Sequence, residues 1–313
     1  MNSSVKRVAV VATGVIGASW AAYFLARGLD VEATDPSPGA QERLREAVAT
    51  HWPTLERQGL AEGASMARLR FHANLPDALA QADFVQESGP ERIDFKVELF
   101  RQMDAAAPAH AILASSSSGL SVTAMQQACA NPQRVVLGHP FNPPHMIPLV
   151  EVGGGQQTAP EAIERAMAFY TAIGKRPIHV RREIKGHIAN RLQAALWREA
   201  FHLVNEGVAT VADIDTAIAQ GPGLRWALMG PFMNLHLSGG AGGVAHVLAH
   251  LGGPIEDWWH DLGTPSMTEA LQQQVVQGVA EELGERRTED LARARDTLLL
   301  DLIRAKQSSG LLE

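Results

Sequence analysis

A chain of 313 residues with one cysteine cannot close an internal disulfide, so burial and hydrogen bonding must carry its stability. That cysteine, Cys129, sits in the mixed helical run from Met125 and reads as packing rather than as a reactive thiol. Lysine is also scarce: only Lys6, Lys96, Lys175, Lys185 and Lys306 occur, none of them between Gln41 and Gln81. The formal net charge is −7 and no basic tract is present, so nothing offsets phosphate repulsion and nucleic acid is excluded as an expected partner. No run reaches the roughly 18 apolar residues of a membrane span. Met1-Asn2-Ser3-Ser4 leads directly into strand-like sequence without an apolar signal region, and a soluble, cytoplasmic protein with no membrane partner is expected.

What is present is apolar sequence in two unlike patterns. Hydrophobic residues make up 46% of the chain, enough for one large core or two moderate ones. Up to about Arg182, short β-rich runs at 5–11, 29–35, 83–87, 111–115 and 135–138 alternate with amphipathic helical stretches. A further strand reads at 149–152 and a last one at 177–182. Such alternation means crossover units and a mostly parallel sheet. Between the second and third of these strands the sequence reads as a helical insertion, Gln41 to Gly63 plus a helix near Leu75 to Gln81, projecting as an arm over the site. Beyond Arg182 the strand signals end, and helices are expected at 188–206, 211–219, 268–283 and 289–306. The predicted fold is therefore α/β: a Rossmann-type doubly wound sheet over residues 1–184, then an all-helical domain over 185–313.

The first strand runs into Ala12-Thr13-Gly14-Val15-Ile16-Gly17 and then a helix. A glycine-rich turn at that place aims backbone amides and a helix N-terminus at a pyrophosphate. Gly14 and Gly17 are retained and the first glycine of the pattern is Ala12, which costs about 1 kcal/mol if the position needs a positive φ. Asp35, 18 residues past Gly17 at the end of the second strand, can accept bonds from ribose hydroxyls and repel a 2′-phosphate. NAD rather than NADP is the expected cofactor, with Ala12, Gly14, Val15, Ile16, Gly17 and Asp35 as its contacts.

A second constellation carries acid–base chemistry. His139 ends the apolar strand at 135–138 and Glu151 lies at the heart of the next, with the Pro-rich connection Phe141-Asn142-Pro143-Pro144 between them. An imidazole can take a hydroxyl proton, and a carboxylate on its other nitrogen fixes the tautomer and tolerates the charge that appears.

With Ser118-Gly119-Leu120, Ile188-Ala189-Asn190-Arg191-Leu192 and Met229-Gly230-Pro231-Phe232, these segments resemble the 3-hydroxyacyl-CoA dehydrogenase family over essentially the whole chain. The resemblance implies that the first domain binds NAD, that the helical domain forms a homodimer, and that substrate lies in the cleft between the domains. It further implies that Ser118 and Asn190 donate hydrogen bonds to the reacting oxygen or a neighbouring carbonyl. Glu91, Lys96 and Asn142 match positions near the cofactor. Within the family, Gly221 to Phe232, His51-Trp52-Pro53 and Glu199 to Gly207 look most like the branch that holds lambda-crystallin and L-carnitine dehydrogenase.

That branch implies a small L-3-hydroxy acid bearing a quaternary ammonium. Phe141, Trp197, Trp226 and Phe232 are candidate aromatic faces for such a cation, each offering roughly 0.5 to 2 kcal/mol when desolvated, and Arg191 or Arg225 suits its carboxylate. An acyl-CoA or a sugar acid such as L-gulonate is the alternative, since Asn190 keeps the broad family's residue. A crystallin-like protein that only binds NAD is the non-enzymatic reading. His246 and His250, four apart on an expected helix, lack a third ligand nearby, so no metal is expected.

Overall fold

The computed structural model describes residues 5–310; Met1–Ser4, read above as leading into the first strand, lie outside the described residues. Eight strands form one sheet: β1 (Arg7–Val11), β2 (Asp30–Thr34), β3 (Leu69–His72), β4 (Phe84–Glu87), β5 (Ile112–Ser115), β6 (Val135–Pro140), β7 (Leu149–Gly154) and β8 (Arg176–Val180), in the order β3-β2-β1-β4-β5-β6-β7-β8. All neighbours are parallel except β6 and β7, which run antiparallel.

The period-2 pattern of the strands explains the layers. Val8, Val10, Phe84, Ile112, Ala114 and Val136 face one hydrophobic cluster, completed by α1 (Val15–Ala26), α2 (Ala40–Gln58) and, after the intervening helices, α6 (Pro160–Ala172). Ala9, Val11, Val85, Leu113 and Leu137 face the other, completed by α3 (Leu75–Leu79), α4 (Ile93–Ala106) and α5 (Val122–Gln126). Strands that are apolar on both faces are what a sheet sandwiched between two helical layers requires.

The inserted segment differs from the helical arm expected of it. Leu44, Val48, Trp52 and Leu55 of α2 are buried with Trp20, Ala21, Phe24 and Leu25 of α1, so α2 is core rather than a projection. Leu69 to His72 is a strand, pairing in parallel with β2. It is an edge strand with the exposed Arg70 between Leu69 and Phe71, which weakens its apolar signal.

Seven α-helices follow among the described residues: α7 (Ala189–Asn205), α8 (Val211–Ala219), α9 (Pro222–Trp226), α10 (Pro231–Ser238), α11 (Gly243–Asp261), α12 (Glu269–Leu283) and α13 (Thr288–Ser309). Local signals set their starts: Thr210 and Asp213 form a capping box on α8, and the Thr268 hydroxyl caps α12. Contacts divide the chain into Met1–Arg191 and Leu192–Glu313, a boundary inside α7. The first turn of α7 belongs with the sheet because the Ile188 and Ala189 amides donate to Glu151 of β7. None of the helices among the described residues is long and apolar enough to cross a membrane.

Candidate active site

The turn after β1 is built for close backbone approach. A Cβ on Gly17 would lie 2.0 Å from the Ala12 carbonyl oxygen, so only glycine fits there, whereas Gly14 faces open space. Ala12 has φ 68°, the left-handed region, so the condition on which its cost depends is met. α1 has no side-chain cap and no acid in its first turn, which leaves its amides and dipole open to an anion. Val15, the first residue of α1, is exposed, and Ile16 is partly so.

Asp35 stands immediately after β2. Its Oδ2 accepts the Thr13 amide at 2.8 Å and its Oδ1 the Ser37 amide at 2.8 Å. Burial pushes this carboxyl up, but those bonds outweigh it and hold it below the ordinary range, so it is ionised at neutral pH. A carboxylate has about four acceptor positions, so ribose hydroxyls can still be accommodated. Beside it a cavity of about 490 Å³ opens between Ala12, Thr34, Pro36, Asn74, Arg92 and Phe95. Turn, acid and cavity fit the pyrophosphate and adenosine of a dinucleotide.

Further along the same sheet end, the reversal between β6 and β7 sets His139 directly opposite Glu151. His139 Nδ1 lies 2.8 Å from Glu151 Oε2, and both residues are buried. Glu151 Oε1 accepts the amides of Ile188 at 2.8 Å and Ala189 at 2.9 Å. Burial raises the Glu151 carboxyl, yet the bonds from His139, Ala189 and Ile188 bring it below its ordinary value. In the neutral imidazole, an ionised Glu151 makes Nδ1 the donor and so directs the Nε2 lone pair outward, the tautomer a general base needs. Behind His139, Gly138 is obligatory: a Cβ there would meet the Tyr170 hydroxyl at 2.1 Å. That hydroxyl donates to Gln86 Oε1, and Gln86 Nε2 in turn donates to the Gly138 carbonyl.

The serine loop after β5 hangs on Glu91. Its Oε1 accepts the Ser117 hydroxyl at 2.6 Å and the amides of Ser118 at 2.9 Å and Gly119 at 3.1 Å. Ser118 is exposed and Ser117 is buried, which separates it from the serine before it. Lys96 is engaged within the protein. Its ammonium is buried and its three donors go to both oxygens of Glu87, at 2.7 and 2.9 Å, and to the Gly89 carbonyl at 3.2 Å. It supports the loop that carries Glu91.

Asn142 is exposed and begins the connection out of β6, next to the half-buried Phe141. Asn190 lies in the first turn of α7, and Arg191 beside it is exposed. Trp197, Arg225, Trp226 and Phe232 belong to the second unit, where all four side chains are exposed. His250 Nδ1 sits 2.9 Å from the His246 carbonyl, and no cluster of three metal-ligating side chains occurs among the described residues.

Residues 7–184 match the model of the 3-hydroxyacyl-CoA dehydrogenase NAD binding domain, and residues 186–262 match that family's C-terminal domain. The chain belongs to the 3-hydroxyacyl-CoA dehydrogenase family. Its relatives include an L-carnitine dehydrogenase of Streptomyces griseus, 53% identical over 96% of this chain and 90% of that protein. An L-carnitine dehydrogenase of Pseudomonas putida is 49% identical over 98% of this chain and 96% of its own length. Among solved structures, 5-formyl-3-hydroxy-2-methylpyridine 4-carboxylic acid 5-dehydrogenase, an NAD+-dependent dismutase, superposes with a TM-score of 0.84 at 30% identity, covering 97% of this chain and 99% of the other.

Two residues of this candidate site escaped the reading of the sequence. Glu87 is fully buried and binds Lys96 and the Ser115 hydroxyl. A polar Gln86-Glu87 ending on a strand buried on both faces was the available signal. His187 has φ 50° and packs its ring 5.2 Å from that of His139. Nothing in a histidine before an apolar helix announces a positive φ.

Proposed function

We propose that this chain oxidises the 3-hydroxyl of L-carnitine to 3-dehydrocarnitine with NAD, His139 acting as the base and Glu151 as its orienting partner. The observation that carries the reading is the opposed, hydrogen-bonded His139–Glu151 pair, in a chain 53% identical over nearly its full length to an L-carnitine dehydrogenase.

Bound NAD supplies the hydride acceptor. The carbinol carbon gives up its hydride while the hydroxyl proton passes to His139 Nε2, leaving a ketone and an imidazolium. Glu151 stays ionised and balances the imidazolium across the 2.8 Å bond, so charge appears beside a group already arranged for it. Ser118 and Asn190 hold the oxygen in line, and Glu91 fixes the loop that presents Ser118. Gly14, Val15, Ile16 and Gly17 cradle the pyrophosphate, and Asp35 holds the adenosine ribose. Phe141 and Arg191 are assigned to the trimethylammonium and carboxylate of the substrate, with Trp197, Arg225, Trp226 and Phe232 as candidates on sequence grounds. The working protein is a cytoplasmic homodimer joined through its helical unit.

Oxidation releases a proton, so NADH absorbance is best followed at alkaline pH, with L-carnitine, L-gulonate and 3-hydroxybutyryl-CoA compared side by side. L-carnitine should give the largest kcat/KM, and His139→Ala should lower it by about 10²- to 10⁴-fold. Faster turnover of another substrate overturns the substrate assignment, and turnover of none overturns the dehydrogenase reading.

A further inference from the structure

We propose that His187 is a positioning residue that ties the serine loop, the base and the helix carrying Asn190 into one unit. The proposal rests on the reading of His139 as the base.

Ala12 and His187 are the two non-glycine residues with positive φ among the described residues. Such strain persists where the surroundings hold it in place. At His187 the surroundings are the candidate site itself. Its ring is buried, with Nε2 3.0 Å from the Ser117 carbonyl, and it packs at 51° to the His139 ring. Its backbone leads at once into Ile188 and Ala189, whose amides hold Glu151, and then into Asn190. The left-handed turn lets one residue aim its ring at the serine loop while its successors reach the carboxylate behind the base.

Burial, and secondarily the neighbouring His139, lower the His187 pKa more than the Ser117 carbonyl, Glu151 and Glu91 raise it. A neutral ring with its proton on Nε2 donates to Ser117 and adds no positive charge beside the imidazolium formed on His139. The ring also borders a cavity of about 290 Å³ with Leu120, Leu137, Val180 and Ile184, which leaves apolar space behind the serine loop.

Three variants separate the donor, the ring and the strain. His187→Phe keeps an aromatic ring without the donor, His187→Gln restores an N–H at comparable reach, and His187→Gly relieves the φ but removes the ring. Displacement of a site by about 1 Å costs on the order of a hundredfold, so His187→Phe and His187→Gly should lose about ten- to a hundredfold in kcat with KM little changed, and His187→Gln should recover most of it. Wild-type kcat in a folded Phe or Gly variant, or an equal loss in Gln and Phe, overturns the proposal. A second readout needs neither substrate nor cofactor: an imidazole NMR titration of the wild-type protein should show His187 protonating below the ordinary histidine range, with a slowly exchanging Nε2–H in its neutral form. A ring that titrates at or above that range, or that exchanges rapidly, overturns it. Because this signal is independent of turnover, a chain inactive on L-carnitine would overturn the substrate reading and leave the His187 result standing.

Discussion

The two units handle apolar sequence in opposite ways. In the sheet-bearing unit both faces of the sheet are closed by helices, and side chains as large as Trp20, Phe24, Phe84 and Phe100 are fully buried. Among the described residues of the helical unit, only Val204, Val247, Leu271 and Leu300 are buried hydrophobics, while Phe232, Trp258, Trp259 and Leu298 are 64% or more exposed. A unit that leaves such surface in water is unfinished by itself, since exposed apolar patches of this kind mark association sites. The first unit makes its own core and holds the pair to which the chemistry is proposed, and the second is suited to association, in line with the proposed homodimer.

The largest expected effect tests the closed core. The Phe84 ring centroid lies 4.2 Å from that of the tilted Phe169 ring and 5.5 Å from that of Tyr170, which it meets edge to face, so Phe84→Ala should cost about 3–5 kcal/mol in urea unfolding. A loss near zero would mean that this core is not tightly packed. Next comes the open face: Trp258→Glu with Trp259→Glu should weaken self-association by at least about 2 kcal/mol, read as a shift to monomer in sedimentation at unchanged helicity. An unaltered dimer would place the interface elsewhere.

A third effect separates the units by pH. His145 of the first unit is held down to about 3 by burial first and then by His51 and Lys175, and burial also lowers the stacked His51. A histidine depressed in the fold contributes stability that is present above its unfolded pKa, near 6.5, and lost as pH falls toward the folded value. From pH 7.5 to 5 the His145 contribution should fall by about 2 kcal/mol. His145→Asn, which retains a side-chain partner for Ser19, should flatten that slope; the same slope in both proteins would refute the assignment. The smallest effect is at the nucleotide turn. Ala12→Gly relieves the left-handed strain but frees the unfolded chain, for a net gain of about 0.5–1 kcal/mol and tighter NAD binding in a fluorescence titration. A loss of stability would contradict the positive φ.

Legibility in the sequence followed the range of the interactions. Seven of the eight strands among the described residues announce themselves as short β-rich runs, most plainly β1, β5 and β6, because a parallel strand covered on both faces is largely apolar. β3 did not, being a polar edge. In the second unit α8 and α12 were readable from their helical patterns, whereas α9 and α10 were hidden in Gly- and Pro-rich sequence. At the candidate site, the neighbouring strands of His139 and Glu151 could be read from their spacing. The burial of Lys96 against Glu87 could not, since it depends on β4 and α4 meeting nine residues apart in sequence.

By itself, then, the sequence determined an alternating sheet unit, a helical unit after it, a glycine turn and the residue types of an acid–base pair, all properties of local pattern. Tertiary structure decided three further things: that α2 is core, that Lys96 supports the Glu91 loop, and that His187 sits strained between His139 and the serine loop. Each of these follows from which groups are brought together across the chain, where burial and hydrogen-bond satisfaction outweigh local preference.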